Sequence, residues 1–408
     1  MSERVYDVMI AGGGVVGLAC AACLTMRPAR QALRVAVIEA REPSPVTADE
    51  PYALRVSAIN PASQALLTAV GAWDRDALRA SPFETIEVWD ATSPGRIRFD
   101  AAWAQRPELG HIVENHRIAD ALLRCLQAND AVDWLCPARI DGVDDGADGA
   151  VDVTLDDGRR LQARILVGAD GGRSKVGELA GIARREHDYG RTAVVATVRS
   201  EAHHDCTAYQ RFLPDGPVAL LPLSSGESSV VWSTTPERAE RLVSQSPQAF
   251  GDAVGLALDG RLGQIELAGD RARFDLRFSH ARAYVAGQTA LIGDAAHTVH
   301  PLAGLGINLG LMDAGVLAEE LLTAHGRRGL GDTRSLAAYA RRRRPDNAVM
   351  LAGLNGLHRL FGSQLPPVRL ARALGLALVD RTWPLKAPFM ARALGIAGEL
   401  PTLARVPR

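Results

Sequence analysis

The sequence predicts an α/β fold: a parallel sheet covered by helices, a second region rich in β-structure, and a helical end. Three observations predict it. A short apolar run, Val5 to Ala11, meets a glycine turn and a helical stretch, and a second apolar run, Val35 to Glu39, ends in an acid. From about residue 190 to 275 the pattern is strand-like. Near Thr289 a short strand runs into Gly293-Asp294, a glycine-rich loop and a helix from Gly306 to Leu322. Strand, helix and strand in sequence make a β-α-β unit, whose strands lie parallel.

The bulk numbers agree with such a fold. At 408 residues the chain is long enough for two or three domains. The apolar share of 47% is ordinary for a protein with real cores, and a net charge of -1 gives no global field for nucleic acid. Lys175 and Lys386 are the only lysines, which reads as codon bias. Five cysteines, Cys20, Cys23, Cys125, Cys136 and Cys206, are too sparse and odd a set for a disulfide framework. Cys20-x-x-Cys23 has no second pair at zinc spacing and reads as two small buried residues on a packed helix. The apolar N-terminal run is broken by Gly12, Gly13, Gly14 and Gly17, which suits strand and turn better than a signal peptide. No run of about 18 uncharged apolar residues suggests a spanning helix.

Each element follows from its pattern. Leu18 to Met26 is the helix of the first unit. Residues 83 to 99 alternate like strands through Ile86, Val88 and Trp89, and Ala119 to Gln127 is helical. Val151 to Leu155, Asp157-Gly158 and Leu161 to Val167 form a hairpin with a D-G turn. Ala193 to Val198, Val218 to Leu223 and Val230 to Ser233 are strands, interrupted by a helical stretch from Pro236 to Leu258. Beyond about residue 345 the sequence reads as helices broken by Pro366-Pro367 and Pro384.

Three motifs carry chemistry. In Gly12-x-Gly14-x-x-Gly17, the first glycine allows a tight turn, the second lets a pyrophosphate approach the backbone, and the third lets helix and strand pack closely. The phosphates then meet a helix N-terminus. Glu39, 22 residues beyond Gly17, ends the second strand and can accept hydrogen bonds from a ribose. The second motif runs from Leu166 to Ser174 around Gly168-Ala169-Asp170-Gly171, and taken alone is equally an Asp-Gly turn. The third is Leu291-Ile292-Gly293-Asp294-Ala295-Ala296-His297, followed by His300-Pro301-Leu302-Ala303-Gly304-Leu305-Gly306-Ile307-Asn308-Leu309-Gly310. Its Asp can bond the hydroxyls of a sugar-alcohol chain. Its glycines make a loop that a flat ring can approach, and the helix behind it would stabilise negative charge there.

In this order and at these separations the motifs resemble the class A flavoprotein monooxygenases, with the p-hydroxybenzoate hydroxylase fold. Within them the His300 to Gly310 loop, Leu54-Arg55-Val56-Ser57-Ala58-Ile59-Asn60, Leu109 to Asn115 and the Asp380 to Lys386 stretch resemble the ubiquinone-biosynthesis hydroxylases, the UbiH, UbiF and VisC group. Leu305 stands where many members carry glutamine, which bears on subgroup rather than class. The resemblance implies a Rossmann-type FAD-binding domain, discontinuous over residues 1–75, 98–185 and 281–340. A β-sheet substrate domain (76–97 and 186–280) is inserted into it, and a helical region (341–408) follows. It implies that Gly12, Gly14, Gly17 and Glu39 hold the adenosine diphosphate half of FAD. Arg55, Asn115 and Arg117 would contact the cofactor, and Asp170 and Gly171 would serve both FAD and NAD(P)H. Gly293, Asp294, Gly304, Gly306, Ile307 and Asn308 would hold the ribityl chain and flavin ring.

The implied reaction is hydroxylation of a phenol ring, with FAD, NAD(P)H as reductant and O2 as co-substrate, through a flavin C4a-hydroperoxide. No second G-x-G-x-x-G is present for a separate nicotinamide domain. Pro301 lies in the ring loop, and His297 and His300 flank it as candidates to take the phenol proton, against a structural role for each. His203-His204 with Asp205 reads as a polar loop rather than a metal site, and no metal is expected.

From Leu321 onward fifteen Lys and Arg face four Asp and Glu. Arg341 to Arg344 form a run, and Leu357, Leu360, Phe361, Leu370, Leu374 and Leu378 recur at helical spacing with Arg359, Arg369 and Arg372 between them, before Trp383, Phe389 and Met390. Two readings stand: a basic face against an anionic membrane, or a lid that packs on the FAD domain and shows arginines to solvent. The expected partners are a prenylated aromatic substrate and a quinone-biosynthesis complex, in the cytoplasm or on the inner face of the membrane. Rival readings are a hydroxylase of a soluble aromatic acid, a flavin reductase of a prenyl double bond, and a flavin-bound scaffold. The Ala303-Gly304-Leu305-Gly306 loop and the Leu54 to Asn60 segment lean toward the VisC-like subgroup, whose resemblance implies hydroxylation of an early prenylphenol.

Overall fold

In the computed structural model, the first strand lies in the middle of a parallel sheet. The structure describes residues 5–26, 32–47, 50–298, 306–327, 329–330, 332–363, 365–382, 386–387, 390–392 and 394–405. Val5–Ala11 pairs in parallel with Val35–Ile38 on one side and Arg160–Gly168 on the other. Val132–Leu135 and Thr289–Leu291 extend the two flanks in parallel. Val8, Met9, Ile10 and the whole of Val35–Ile38 are buried, because helices cover the sheet. That explains why these strands read as continuous apolar runs. The crossover helix, Val15–Thr25, packs against the helices Asn115–Gln127 and Gly306–His325. It is buried almost all round, so its sequence is small and apolar rather than amphipathic. Cys20 and Cys23 sit inside that packing, and burial pushes the Cys20 thiol far up, as suits an inert core residue.

The hairpin forms as expected: Val151–Leu155 and Arg160–Gly168 are antiparallel, and Gly158 takes φ +84° in the turn between them.

A second, eight-stranded sheet lies beside the first. Its frame is two antiparallel strands of 17 residues, Arg184–Ser200 and Ile265–Ala281, whose register slips between Asp188 and Arg191 and again between Ala196 and Val198. Such bulges bend a long ribbon. The helices Pro236–Ser244 and Pro247–Ala257 cover one face through Leu242, Phe250 and Val254, against Trp232. Thr235 and Ser246 cap them, each followed by a proline suited to the first helical position. At its edge this sheet pairs His280 with His297, so it joins the first sheet beside the Gly293-Asp294 turn. A small third sheet contains Val56–Ile59, Gly110–Glu114 and Ser81–Phe83.

Three expectations need correction. The helix expected from Ala119 starts at Asn115, because Arg117 faces inward and a buried arginine looks polar in a periodicity count. A domain break after residue 97 falls inside the strand Arg96–Asp100, which belongs to the second sheet. A break at residue 341 falls inside one helix, Arg334–Gly362. The charge run there marks no boundary, because its arginines point in different directions around the helix.

Those directions bear on the basic C-terminal region. Arg342 spans Glu319, Glu320 and Glu399. Arg343 is buried on Asp313 and Asp346, Arg372 is buried on Asp90 at 2.7 Å, and Lys386 pairs with Asp380 at 2.8 Å. Much of the positive charge therefore holds the helices down. Arg341, Arg344 and Arg359 remain exposed, as do the apolar side chains of Val349, Leu357, Leu360, Leu365 and Leu378. Pro384, Trp383, Leu385 and Phe389 lie outside the described residues, as do the side chains of Leu370 and Leu374. Among the described residues no helix is long and apolar enough to cross a membrane.

Candidate active site

The three glycine motifs meet one another. A methyl group on Gly12 (φ +110°) would lie 2.3 Å from the carbonyl oxygen of Ala169, so the first turn is pressed against Gly168-Ala169-Asp170. A methyl on Gly17 would lie 2.0 Å from the carbonyl oxygen of Gly12, which fixes the turn to its own helix. A methyl on Gly310 would lie 2.6 Å from Val16, and one on Gly293 (φ +59°) 3.1 Å from the same side chain. The Gly293-Asp294 turn and the Gly306–His325 helix thus rest on the first turn of Val15–Thr25. Gly172 reaches Thr298 in the same way, at 3.0 Å.

Where the backbones do not touch, the turns are open. A methyl on Gly14 or on Gly171 would meet no atom within 4 Å. Gly14 caps the helix Val15–Thr25 with no side-chain hydrogen bond and no acid in the first turn. An uncapped helix N-terminus beside an open glycine suits a phosphate. Glu39 sits at this turn, accepting from Gly13 N at 2.7 Å and Arg41 N at 3.0 Å.

The Asp294 carboxylate is exposed at the other turn, yet protein packed around it thins its hydration and raises its pKa. His297, Arg55 and Arg184 oppose that rise. Arg55 therefore comes near Asp294 although 239 residues separate them in sequence. It lies over the Phe274 ring at 5.1 Å. Asn115, the first residue of its helix, has a buried side-chain oxygen without a hydrogen-bond partner. An open glycine, an uncapped helix, an orphaned amide oxygen and a cation near a carboxylate together fit a phosphate- and hydroxyl-rich cofactor.

Other expected contacts are placed differently. Arg117 is buried, bonding Glu114 at 2.8 Å, Glu50 at 2.9 Å and the carbonyl of Thr47 at 2.7 Å. It braces the segment before Arg55 and leaves no free face for a ligand. Asn308 commits its amide to the main chain, donating to Ala58 O at 2.7 Å and accepting from Asn60 N at 3.0 Å. It clamps the Gly306–His325 helix to the strand Val56–Ile59. The Asp170 carboxylate accepts from Ser174 Oγ at 2.6 Å and Val176 N at 3.0 Å, so it organises the turn that follows. Ile307 is half-buried against the main core. His297 is fully buried, with Nε2 2.6 Å from Asp313. His300, Pro301 and Gly304 lie outside the described residues, as does Leu305. In the polar loop, His203 pairs with Asp205 and His204 Nε2 lies 3.1 Å from the Leu223 carbonyl oxygen.

Sequence reasoning missed Asp313 and Arg184. Asp313 is fully buried and accepts from Gly293 N, His297 Nε2, Arg343 Nε and Asn347 Nδ2. Burial alone would raise its pKa, but His297 and Arg343 hold it down at about 2. A lone carboxylate inside Gly310-Leu-Met-Asp-Ala-Gly-Val was the available signal. Arg184 donates from Nε to Ser279 Oγ at 2.8 Å and from Nη2 to the Asp294 carbonyl at 3.2 Å, with Nη1 buried and unpartnered. Nothing in the sequence marked it.

Comparison with known proteins gives the same grouping. Residues 5–352 match the model of the family described as FAD binding domain. The chain is 41% identical to the ubiquinone hydroxylase UbiL of Rhodospirillum rubrum, over 99% of this chain and 94% of that protein. It is 35% identical to the 3-demethoxyubiquinol 3-hydroxylase of Escherichia coli, over 97% of this chain and all of that protein. It is 37% identical to the mitochondrial ubiquinone biosynthesis monooxygenase of Homo sapiens, over 96% and 93%. Among solved structures, p-nitrophenol 4-monooxygenase from Pseudomonas putida superposes with a TM-score of 0.76 at 20% identity, over 96% of this chain and 98% of that one, a likeness of fold.

Proposed function

Because the chain belongs to the FAD binding domain family, among the ubiquinone-biosynthesis hydroxylases, we propose that it hydroxylates the ring of a polyprenylated phenol or quinol on the way to ubiquinone. It is an FAD-dependent aromatic hydroxylase that uses NAD(P)H and O2. The observation that carries the reading is the convergence of the three glycine motifs on one another, with Gly14 and Gly171 open and Asp294 exposed.

Bound FAD would supply the chemistry no side chain has, electron uptake from NAD(P)H and oxygen transfer from O2 to an aromatic ring. The residues bind and orient. Gly14 and the N-terminus of Val15–Thr25 receive the pyrophosphate, and Glu39 the adenosine ribose. Arg55 and the free oxygen of Asn115 would contact the cofactor, and Asp294 would hold the ribityl hydroxyls. Gly171 leaves room for the cofactor or the nicotinamide. Ile307 and the main chain of Gly306 and Asn308 would hold the ring. Arg117 and Asp170 act at one remove, by shaping the segments that carry the contacts. The second sheet covers the aromatic substrate and keeps water from the reacting atoms. His297 is fully buried with Nε2 on Asp313, so the phenol proton leaves by another route.

The membrane reading of the C-terminal helices is retained in narrower form. No acid lies between Asp346 and Asp380. Over that stretch Val349, Leu357, Leu360, Leu365 and Leu378 are exposed, with Arg359 among them. Apolar side chains with positive charge and no negative charge complement an anionic bilayer, where a polyprenylated substrate resides.

The test is genetic and chemical. Deleting the gene should lower ubiquinone and accumulate a prenylated ring one oxygen short, and that intermediate names the position. Asp294→Ala should fail to restore ubiquinone. Normal ubiquinone in the deletion strain, with oxidation of soluble phenols by the purified enzyme, would overturn the reading. Leu357→Glu with Leu360→Glu should release the protein from anionic liposomes at low salt. Unchanged binding would remove the membrane contact.

A further inference from the structure

The Gly293-Asp294 turn is held by a buried polar junction rather than by its glycines alone. Asp313 lies on the Gly306–His325 helix with no exposed surface. Its Oδ2 accepts from Gly293 N at 3.1 Å and from His297 Nε2 at 2.6 Å, at the two ends of the turn. Its Oδ1 accepts from Arg343 Nε at 2.8 Å and Asn347 Nδ2 at 3.0 Å. These four bonds fill the acceptor sites of a carboxylate. Arg343 and Asn347 lie on Arg334–Gly362, one helical turn apart, and Tyr339 one turn earlier donates to Leu291 O at 2.6 Å. Residues four apart share a helix face, so one face of this helix holds the end of the strand and, through Asp313, the turn after it. Arg343 is fixed in turn by Asp346 at 2.9 Å, by Asn347 at 2.7 Å and by the Glu399 carbonyl at 3.2 Å.

We propose that Asp313 is a positioning residue for the flavin. In this role it sets the Gly293-Asp294 turn and passes to it the placement of the helix face formed by Tyr339, Arg343 and Asn347. The inference rests on the reading of Asp294 as a cofactor contact. Asp313 itself touches no cofactor and exchanges no proton with substrate. Its oxygens fix the peptide of Gly293 and the ring of His297, and Asp294 stands between them. A shift of the C-terminal helices would therefore reach Asp294 as a change of angle.

Two variants of the full-length protein test this. Asp313→Asn keeps shape but removes the charge and one of the acceptor oxygens. Asn347→Ala removes one bond to Asp313 from the far side of the junction. We expect Asp313→Asn to keep its far-UV spectrum and bind FAD about tenfold more weakly or worse. Its bound flavin should have an altered visible spectrum and an altered midpoint potential, since the turn that carries Asp294 is no longer held. Asn347→Ala should weaken FAD binding in the same direction by a smaller factor. If both variants lose thermal stability yet bind FAD with wild-type affinity, spectrum and potential, the junction only stabilises the fold and the proposal is wrong. If Asp313→Asn does not fold, Asn347→Ala decides alone by the same readouts. Both readouts concern bound flavin, so a protein that binds FAD but oxidises no ring sinks the proposed function and leaves this test standing. A wild-type protein that binds no FAD sinks both.

Discussion

Two turns meet at Val16, and they are held in different ways. The turn at Gly12 to Gly17 is fixed by backbone against backbone, where added methyl groups would lie 2.0 to 2.3 Å from carbonyl oxygens. The turn at Gly293 to His297 is fixed largely by a buried ion, Asp313, and its partners on two helices. The first is a local device that a few adjacent residues specify. The second is assembled from positions 20, 30 and 34 residues distant from one another or from the turn. Steric turns admit no adjustment. A turn held by charges can respond to whatever moves the helices that carry them.

The largest expected effect breaks the first turn. Gly17→Ala drives a methyl into the Gly12 carbonyl, which should destabilise the protein by about 4 kcal/mol or more and abolish FAD retention. Thermal unfolding and the flavin content of purified protein would show it, and a normal melting temperature would mean that the turn is not rigid. Next is the second turn. Arg343→Met leaves Asp313 buried without its guanidinium partner, at a cost of about 3 to 5 kcal/mol. Denaturant titration measures that, and a change below about 1 kcal/mol would contradict the ionic account.

A smaller effect comes from outside both turns. His111 is buried, with neither ring nitrogen hydrogen-bonded, and burial pushes its pKa down to about 4. Between that value and the ordinary 6.5 the unfolded chain binds the proton and the folded chain does not. Stability should therefore rise with pH across this window. His111→Phe should flatten the rise by about 2 to 3 kcal/mol between pH 4 and pH 7. Unfolding curves at several pH values check it, and an unaltered slope would place the titration elsewhere. The smallest effect on stability is the most diagnostic. Gly14→Ala meets open space, so the melting temperature of the flavin-free protein should not move while FAD binding weakens. Equal FAD affinity would show that the pyrophosphate does not approach there.

Legibility in the sequence followed the same division. The β-α-β unit, the D-G hairpin and the steric roles of Gly12 and Gly17 were readable because each depends on neighbours within a few residues. Arg117 and Asn308 were identified as residues of consequence, but as ligands, where the structure makes them braces to Glu50, Glu114 and the main chain at 58 and 60. A polar residue beside a motif looks the same in sequence whether it turns toward a cofactor or toward the backbone. The start of the Asn115–Gln127 helix was misplaced for a related reason, since buried Arg117 counts as polar in any periodicity. Arg343 was hidden in a run of four arginines whose members go to different places: Arg342 to Glu319 and Glu320, Arg343 to Asp313, and Arg341 and Arg344 to the surface. Only the tertiary fold tells such residues apart.

The most direct test of the central claim follows the oxygen. Purified, FAD-loaded enzyme would be given NADH or NADPH, a prenylated phenol in anionic liposomes and isotopically heavy O2, and the lipid products weighed by mass spectrometry. The account predicts one heavy oxygen atom on the ring per nicotinamide oxidised, lost in Asp294→Ala. Nicotinamide oxidation that yields hydrogen peroxide and no labelled ring, with wild-type enzyme and every prenylated phenol tried, would contradict it.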